Sequence, residues 1–266
     1  MSIFLKLAFW SIFSLPIFAQ ERLIWSDEFN APRGTRPDPS KWGYDLGGGG
    51  WGNRELQVYT DRAENARHDG KGHLQIRAVK GSGGTFTSAR LKTKGKFEAK
   101  YIRVVSRLRV PKGQGLWPAL WMLGNTFPQE EWPNCSEIDI MEYIGKTPDT
   151  TYGTVHGPGY AGKEALSGNY KLADGKSFGD GFHTYAVDWT PDRISYYVDN
   201  KPYHTVEPKH LPAGANWVFN RAAFLLLNLA VGGEWPGFPD DTTRFPGVFE
   251  IDWIRVYQKD LNIIRK

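Results

Sequence analysis

The sequence predicts an all-β protein built as a two-sheet antiparallel β-sandwich. Short runs of alternating apolar and polar residues recur along the chain, and glycine, proline and asparagine separate them. No segment has a helical pattern longer than two turns, and 266 residues suit one large all-β domain. If the sheets curve, the sandwich becomes a β-jelly roll whose concave face forms a cleft.

The N-terminal segment predicts a secretory signal peptide over residues 1–19, followed by one folded domain over residues 20–266. Lys6 precedes an apolar run, and the small residue Ala19 stands before the expected cleavage point. The run is short for a membrane span, and a buried N-terminal helix is the alternative. A cleaved signal predicts a secreted protein, extracellular or periplasmic, that has no membrane attachment after cleavage.

Alternating segments then follow one another from residue 73 onward. Residues 86–110 predict two long strands around Lys94-Gly95, in which the basic side chains share one parity and apolar ones share the other. That division is typical of a solvated face against a buried face, and anion binding by the basic stripe is the alternative. The other predicted strands are HLQIRAV (73–79), LWPALWML (116–123), CSEIDIMEYI (135–144), TYGTVHG (151–157), FHTYAVDWT (182–190), RISYYVD (193–199), AAFLLLNLAV (222–231) and VFEIDWIRVYQ (248–258).

The charge, the aromatic content and the cysteine count limit the functions that the protein is expected to have. The net charge is +4 without a long basic run, which does not indicate nucleic-acid binding. The chain has 11 Trp, 12 Tyr and 15 Phe, enough for aromatic surfaces that stack on sugar rings as well as for a core. Cys135 is the only cysteine, so no intramolecular disulfide can form and the core must supply the stability.

The segment PNCSEIDIMEYIG (133–145) places three carboxylates, Glu137, Asp139 and Glu142, inside a strand with apolar neighbours. Clustered buried acids repel one another and are costly to desolvate, which indicates a functional site rather than a solvated strand face. In a flat strand Glu142 points to the opposite face from the other two. A β-bulge at Ile140 or Met141 would bring all three to one face.

Such an arrangement is suited to glycoside hydrolysis with retention of configuration. Two glutamates on either side of a short aspartate can reach the separation of about 5–5.5 Å that a retaining glycosidase requires. One carboxylate attacks the anomeric carbon, and the other protonates the leaving oxygen and later activates water. The central Asp139 can share a proton with its neighbour, as coupled carboxylates do.

The segments around these acids resemble glycoside hydrolase family 16, and most closely its bacterial laminarinase-type endo-β-1,3-glucanases. The resemblance rests on GQGLWPALWMLG (113–124), WPNCSEIDIMEYIG (132–145) and TYGTVHGPGY (151–160). LIWSDEFN (23–30), GGWGNRELQVYT (50–60), SARLKTKGKFEAKY (88–101) and EIDWIRVYQ (250–258) follow in family order. The residue inserted at Met141 places the chain with the laminarinases, agarases and carrageenases rather than with the regular-strand lichenases and xyloglucan enzymes.

The resemblance implies a role for particular residues. Glu137 is the expected nucleophile, Asp139 its assisting residue and Glu142 the acid/base. His156 is expected beside the triad, with a core histidine as the alternative reading. The expected substrate-binding residues are Asn53, Glu55, Arg90, Trp117, Trp121, Trp132, His156, Glu234 and Trp235. Glu234 departs from the family, since many relatives carry asparagine there, and a carboxylate can accept but cannot donate a hydrogen bond to sugar hydroxyls.

The resemblance also implies a structural calcium ion away from catalysis, and no cofactor for the reaction itself. Its expected ligands are Glu28, the carbonyl of Gly72 and Asp252, because calcium prefers oxygen ligands. Pairing of the two carboxylates with basic neighbours is the alternative.

The sequence therefore predicts a secreted, monomeric endo-β-1,3-glucanase whose partner is a β-glucan polysaccharide, with residues 20–266 as the catalytic domain. It is not expected to bind nucleic acid. A mixed-linkage β-1,3-1,4-glucanase or a dual-specificity enzyme is the alternative, followed by a galactan hydrolase. A non-catalytic glucan-binding protein has no need of an acid/base at Glu142, although the same sandwich could serve it.

Overall fold

Two β-sheets account for nearly all regular structure in the computed structural model, which describes residues 21–173 and 175–258. The predicted signal peptide at 1–19 lies outside the described residues. The strands are β1 Arg22–Asp27, β2 Gly43–Asp45, β3 Gln57–Tyr59, β4 Ala66–His68, β5 Leu74–Lys80, β6 Phe86–Ser88, β7 Arg90–Lys92, β8 Ile102–Arg109, β9 Leu116–Gly124, β10 Glu137–Tyr143, β11 Thr150–His156, β12 Leu166–Lys171, β13 His183–Thr190, β14 Arg193–Val198, β15 Lys201–Val206, β16 Ala223–Val231 and β17 Gly247–Gln258. Helical structure in these residues consists of four 3₁₀ turns, Ser82–Gly84, Gly162–Glu164, Phe178–Asp180 and Pro208–His210.

The first sheet has ten strands and the second has seven. The first runs in the order β15-β14-β13-β8-β17-β5-β6-β3, with β1 beside β17 and β4 beside β5. The second runs β12-β11-β10-β9-β16-β7-β2. Neighbouring strands are antiparallel except for β3 and β6, which are parallel. The predicted two-sheet antiparallel sandwich is therefore confirmed.

The core lies between the sheets because each strand turns one parity inward. In β8 the inward side chains Ile102, Val104 and Leu108 are at most 1% exposed, whereas Arg103 and Arg107 face outward. All nine residues of β16 are buried. Leu225, Leu227 and Leu229 belong to the main core, whereas Phe224 and Leu226 belong to a smaller cluster on the opposite face of the sheet. Among the described residues no helix is long and apolar enough to cross a membrane.

The prediction of two long strands over residues 86–110 is wrong in its first half. Two three-residue strands, β6 and β7, occupy this region, and the next strand begins only at Ile102. The reason is a tight turn at Thr93: its carbonyl accepts the backbone N–H groups of Lys96 and Phe97, and its hydroxyl donates to the Phe97 carbonyl at 2.8 Å. Gly95 has a φ of 73°, which glycine adopts without steric cost.

Candidate active site

The three carboxylates of β10 lie on one face because the strand contains a β-bulge. Asp139 pairs with Trp121 of β9, but the next pair along β9 is Leu120 with Met141, so that Ile140 is the additional residue. Against β11 the register shifts between Asp139 and Glu142. The bulge predicted from the spacing is thus confirmed.

The bulge places the three acids on one face of the strand and the apolar residues between them on the other. Ile140 and Met141 are at most 1% exposed and belong to the main core. Glu137, Asp139 and Glu142 point away from the first sheet. We call this outward side of the second sheet the cleft face, and it is also the side of Trp117 and Trp121.

His156 on β11 is paired with Glu137 and points at the acids. Its Nε2 lies 3.1 Å from Asp139 Oδ2 and 3.7 Å from Glu137 Oε1. Its Nδ1 lies 3.1 Å from the Gly162 backbone nitrogen, which can only donate. The Nδ1 atom is therefore the acceptor, the proton of the neutral ring is on Nε2, and that N–H faces the carboxylates. The structure thus places His156 beside the acids on the cleft face, next to Glu137 and Asp139.

Burial makes the charged forms of these acids costly. Desolvation first, and then repulsion from Asp139, raises the pKa of Glu137 to about 8, although His156 and Arg90 act in the opposite direction. Desolvation also raises the pKa of Asp139 to about 8, while a hydrogen bond with Glu137 lowers it. The two groups form one coupled pair that shares a proton near neutral pH.

Glu142 is partly buried beside the other two acids. Desolvation raises its pKa well above the ordinary value, and the charges of Asp139 and Glu137 raise it further. The indole Nε1 of Trp117 donates to Glu142 Oε1 at 3.1 Å, which fixes the carboxyl group and lowers its pKa only in part. A buried carboxylic acid of this kind can donate a proton at neutral pH.

Arg90 is held between two indole rings beside the acids. Its guanidinium carbon lies 4.8 Å from the ring centroid of Trp51 and 4.7 Å from that of Trp121. Its Nε donates to Asp45 Oδ2 at 3.0 Å. Cation–π contacts on both faces and an ion pair at the edge fix the group, which lowers the pKa of Glu137 by its charge.

Glu55 is the centre of a polar network next to Arg90. Asn53 donates to its Oε1 at 3.1 Å, and Gln57 donates to its Oε2 at 2.5 Å. The Tyr59 hydroxyl lies 3.4 Å from the same Oε2 and accepts from the Asn228 amide at 3.2 Å. Burial nevertheless raises the pKa of Glu55. These groups present hydrogen-bonding atoms in fixed positions on the cleft face.

Aromatic side chains flank the other side of the triad. The ring of Trp235 meets that of Trp117 edge-on at 5.3 Å and that of Tyr152 at 5.0 Å. Trp132 is 44% exposed, and its ring lies 5.7 Å from His156. Exposed aromatic faces beside polar groups are suited to the apolar faces of sugar rings.

Glu234 lies at the rim of the site rather than at its centre. Its Oε1 is 3.7 Å from Arg54 Nη1, and both side chains are exposed. Its backbone N–H donates to the Asn53 carbonyl at 3.1 Å. The structure thus brings all nine expected substrate-binding residues to the cleft face or its rim, with Glu234 the most peripheral.

Several cleft residues were not found from the sequence. Trp51, Asp45 and Asn228 contact expected site residues, but they come from a loop and two other strands. The only available signal was an asparagine, Asn228, inside the apolar strand 222–231. Asn228 Oδ1 accepts from Trp121 Nε1 at 2.7 Å, which joins β9 to the Glu55 network.

The expected calcium ligands are engaged by arginines. Arg255 donates to Glu28 through Nε at 2.9 Å and Nη2 at 2.8 Å, and this pairing lowers the pKa of Glu28. Asp252 accepts from Arg107, and Gly72 lies in the turn between β4 and β5. This is the ion pairing that the sequence left open as the alternative. Two carboxylates already neutralised by guanidinium groups fit a calcium site poorly.

Within residues 21–173 and 175–258, one set of atoms is close enough to hold a metal ion. Ligand atoms of Glu137, Asp139 and His156 lie within 4.8 Å of one another. However, the Gly162 N–H occupies Nδ1 and the proton of the neutral ring is on Nε2, so the imidazole offers no free lone pair toward the acids and the set fits a metal ion poorly.

The sandwich with three clustered carboxylates on an aromatic-lined face is the arrangement of a carbohydrate-cleaving enzyme. The chain belongs to the glycosyl hydrolases family 16, whose model matches residues 53–255. A beta-glucanase of Rhodothermus marinus is 42% identical over 89% of this chain and 85% of the relative. Glucan endo-1,3-beta-glucosidase A1 of Niallia circulans is 36% identical over 92% of this chain but only 39% of that longer protein.

Solved structures agree in fold as well as in sequence. The endo-beta-1,3-glucanase from Pyrococcus furiosus superposes with a TM-score of 0.84 at 43% identity, over 91% of this chain and 96% of that chain. The predicted family and jelly-roll architecture are therefore confirmed.

Proposed function

We propose that this protein is an endo-acting β-1,3-glucanase that cleaves laminarin-like β-glucans with retention of configuration. One observation carries the proposal: the bulge in β10 aligns Glu137, Asp139 and Glu142 on a face lined with aromatic and hydrogen-bonding groups. Membership in family 16 and the endo-β-1,3-glucanase names among its relatives support the substrate class.

In the first step, the Glu137 carboxylate attacks the anomeric carbon while Glu142 donates its proton to the departing glycosidic oxygen. The C–O bond breaks, and a glycosyl ester forms on Glu137. In the second step, the Glu142 carboxylate takes a proton from water, whose oxygen attacks the anomeric carbon and displaces Glu137. Each step thus leaves Glu142 in the protonation state that the next step requires.

Glu137 and Asp139 hold the remaining proton between them. The pKa values of Glu137 and Asp139 are both raised to about 8, so the free enzyme does not favour one of the two carboxyl groups as the site of the proton. Attack requires the proton to be on Asp139, which leaves Glu137 as the carboxylate. The His156 Nε2–H and the nearby Arg90 charge stabilise the negative charge that stays on the pair.

Three further statements complete the proposal. The apolar leader sequence supports secretion. The triad and the aromatic residues around it all come from one chain, which supports action as a monomer on a polysaccharide. Glu28 and Asp252 serve as ion-pair partners of Arg255 and Arg107 rather than as calcium ligands with Gly72, and a melting temperature that rises on calcium addition would overturn this.

The Glu142→Gln variant tests the assignment of roles. Loss of the proton donor should reduce hydrolysis of laminarin by about 10²–10⁴-fold, the usual contribution of general acid catalysis. An aryl glucoside with an activated leaving group needs no proton, so its glycosylation step, measured before steady state, should lose far less. Equal losses on both substrates would show that Glu142 is not the acid.

Products from laminarin, lichenan, curdlan and agarose decide the specificity. A spread of oligosaccharides from laminarin and curdlan is expected early in digestion. Faster cleavage of lichenan would indicate the mixed-linkage enzyme, cleavage of agarose the galactan hydrolase, and binding without cleavage the non-catalytic protein.

A further inference from the structure

Three aromatic rings beside Glu142 form a continuous chain of contacts, and the mechanism does not use one of them, Tyr152. Trp117 lies on β9 and Tyr152 on β11, the strands that pair with β10 on either side. Trp235 follows β16, and its ring joins the other two: its centroid is 5.3 Å from that of Trp117 and 5.0 Å from that of Tyr152, and the planes differ by 83° and 67°. We call Trp117, Trp235 and Tyr152 the aromatic arch.

The pairing of the strands places the aromatic arch around Glu142. Ala119 of β9 and Tyr152 of β11 lie directly opposite Glu142, one on each side, and therefore point to the cleft face with it. Trp117 is two residues from Ala119 along β9, so it is a diagonal neighbour of Glu142 on the same face. The small side chain of Ala119 leaves room for the Trp117 indole beside the carboxyl group.

A hydrogen bond connects the aromatic arch to the proposed acid. Trp117 Nε1 donates to Glu142 Oε1 at 3.1 Å, and both residues are only partly buried. A bond of this kind competes with water, and ordering a side chain costs conformational entropy. An indole that is free to turn about its two side-chain torsions would therefore leave the carboxyl group for part of the time, whereas a packed indole stays in place.

Trp235 lies in a turn and takes its position from Tyr152. Tyr152 is a firm support, because β11 is paired with β10 on one side and with β12 on the other. The Trp235 backbone carbonyl also accepts from the ammonium group of Lys146, an exposed side chain in the turn after β10. Contact thus passes from Tyr152 to Trp235 and from Trp235 to Trp117, so that both strands beside β10 fix the indole.

We propose that Tyr152 and Trp235 are positioning residues for Glu142, because they hold the Trp117 indole where its N–H donates to the carboxyl group. With Oε1 occupied as the acceptor, the acidic proton is on Oε2. Oε2 therefore gives its proton to the departing glycosidic oxygen, which keeps the electron pair of the broken C–O bond, while the O–H electron pair stays on Glu142. The inference rests on the proposed role of Glu142 as the acid.

The first test replaces Tyr152, which is not among the expected substrate-binding residues. Tyr152→Leu removes the ring and should reduce kcat on laminarin by about two- to tenfold, the range that the loss of one aromatic pair gives. An aryl glucoside with an activated leaving group needs no proton, so its glycosylation step should change far less. Equal losses on both substrates would show a general structural effect and overturn the proposal. Tyr152→Phe keeps the ring and should retain the wild-type kcat; a loss as large as that of Tyr152→Leu would assign the effect to the hydroxyl group and overturn the proposal as well.

A double-mutant cycle shows whether Tyr152 acts through Trp117. Trp117→Phe removes the N–H and keeps a ring, so Tyr152→Leu should have little further effect on kcat in that background. The same fold loss in both backgrounds would overturn the proposal. Tyr197→Leu is the matched control, because Tyr197 is a partly buried tyrosine of the first sheet whose ring centroid lies 5.3 Å from the Arg103 guanidinium carbon. It should keep the wild-type kcat on both substrates.

Hydrogen exchange of the Trp117 indole N–H, followed by NMR, measures the hydrogen bond to Glu142 without substrate. The resonance is identified by its absence from the spectrum of Trp117→Phe. Its exchange should be about two- to tenfold faster in Tyr152→Leu than in the wild type or Tyr152→Phe. Failure to cleave laminarin would overturn the proposed function alone, since the exchange rate would still report on the aromatic arch. Unchanged exchange in Tyr152→Leu would overturn the positioning role alone.

Discussion

Replacing Glu137 by glutamine should stabilise the protein, and the gain should increase with pH. In the folded protein desolvation and the Asp139 charge raise the pKa of Glu137 to about 8 from an ordinary value of 4.5. The unfolded chain therefore loses the Glu137 proton at a lower pH than the folded protein does. Between these two pKa values the folded state binds more protons, and its stability falls as pH rises.

The size of the effect follows from the two pKa values. A difference of 8 − 4.5 = 3.5 units, at about 1.4 kcal/mol per unit, gives an upper bound of about 5 kcal/mol between pH 4.5 and pH 8. Asp139 shares the proton, so part of the cost is transferred to Asp139 when Glu137 is replaced, and we expect about 2–5 kcal/mol. Glutamine has no proton to lose, and it keeps nearly the shape of the acid.

Urea unfolding of the wild type and Glu137→Gln at pH 5 and pH 8 measures the difference. The variant should gain stability relative to the wild type at pH 8 and little at pH 5. Glu164→Gln is the control, because Glu164 is an exposed glutamate on the 3₁₀ turn Gly162–Glu164. A stability difference independent of pH would refute the reasoning, since it would show that the buried carboxyl group is not held protonated.

Three other perturbations test the same site. Asp139→Asn removes the charge that raises the pKa values of Glu137 and Glu142. Both the acidic and the basic limb of the pH profile of kcat/KM should therefore move to lower pH. Limbs that stay in place would contradict the electrostatic coupling of Asp139 to the two glutamates. Proton NMR of the first product from laminarin should show the β-anomer, and an initial α-product would exclude the double displacement. Deleting Met141, which is fully buried, removes its side chain from the main core and removes the bulge that sets the position of Glu142 relative to Glu137, so we expect a loss of about 2–5 kcal/mol and of most activity; a normal melt with full activity would show that the bulge does not set the triad.

The sequence predicted the site best where the evidence was local. The three acids lie within six positions, and the period of two along a strand immediately shows that Glu142 is out of phase. The bulge follows from that mismatch alone, and the register of β10 confirms it. Alternation likewise located the long strands, because a buried face leaves a pattern that neighbouring residues share.

Contacts between distant segments could not be predicted in this way. Arg90 lies between Trp51 and Trp121, and Asp45 accepts a hydrogen bond from its edge, but nothing in one sequence relates a loop and three separate strands. The basic stripe illustrates the difference. Parity grouped Arg90 with Lys96 on one solvated face, yet the turn at Gly95 separates them, and Lys96 donates to the Pro39 carbonyl at 2.6 Å instead.

The cost of burying three acids must be offset elsewhere, and the topology indicates where. The single cysteine is buried and free, so no disulfide contributes. The triad strand β10 is paired on both sides, and β9 separates it from β16, in which all nine residues are buried. Each fully buried leucine or valine contributes about 1.5–3 kcal/mol, so Leu225, Leu227 and Leu229 together contribute about 4.5–9 kcal/mol, which offsets the bound of about 5 kcal/mol worked out for Glu137 over nearly all of that range. A substitution that destabilises β16 should therefore unfold the wild type more readily than Glu137→Gln at pH 8, because the variant does not carry the cost of burying the Glu137 charge.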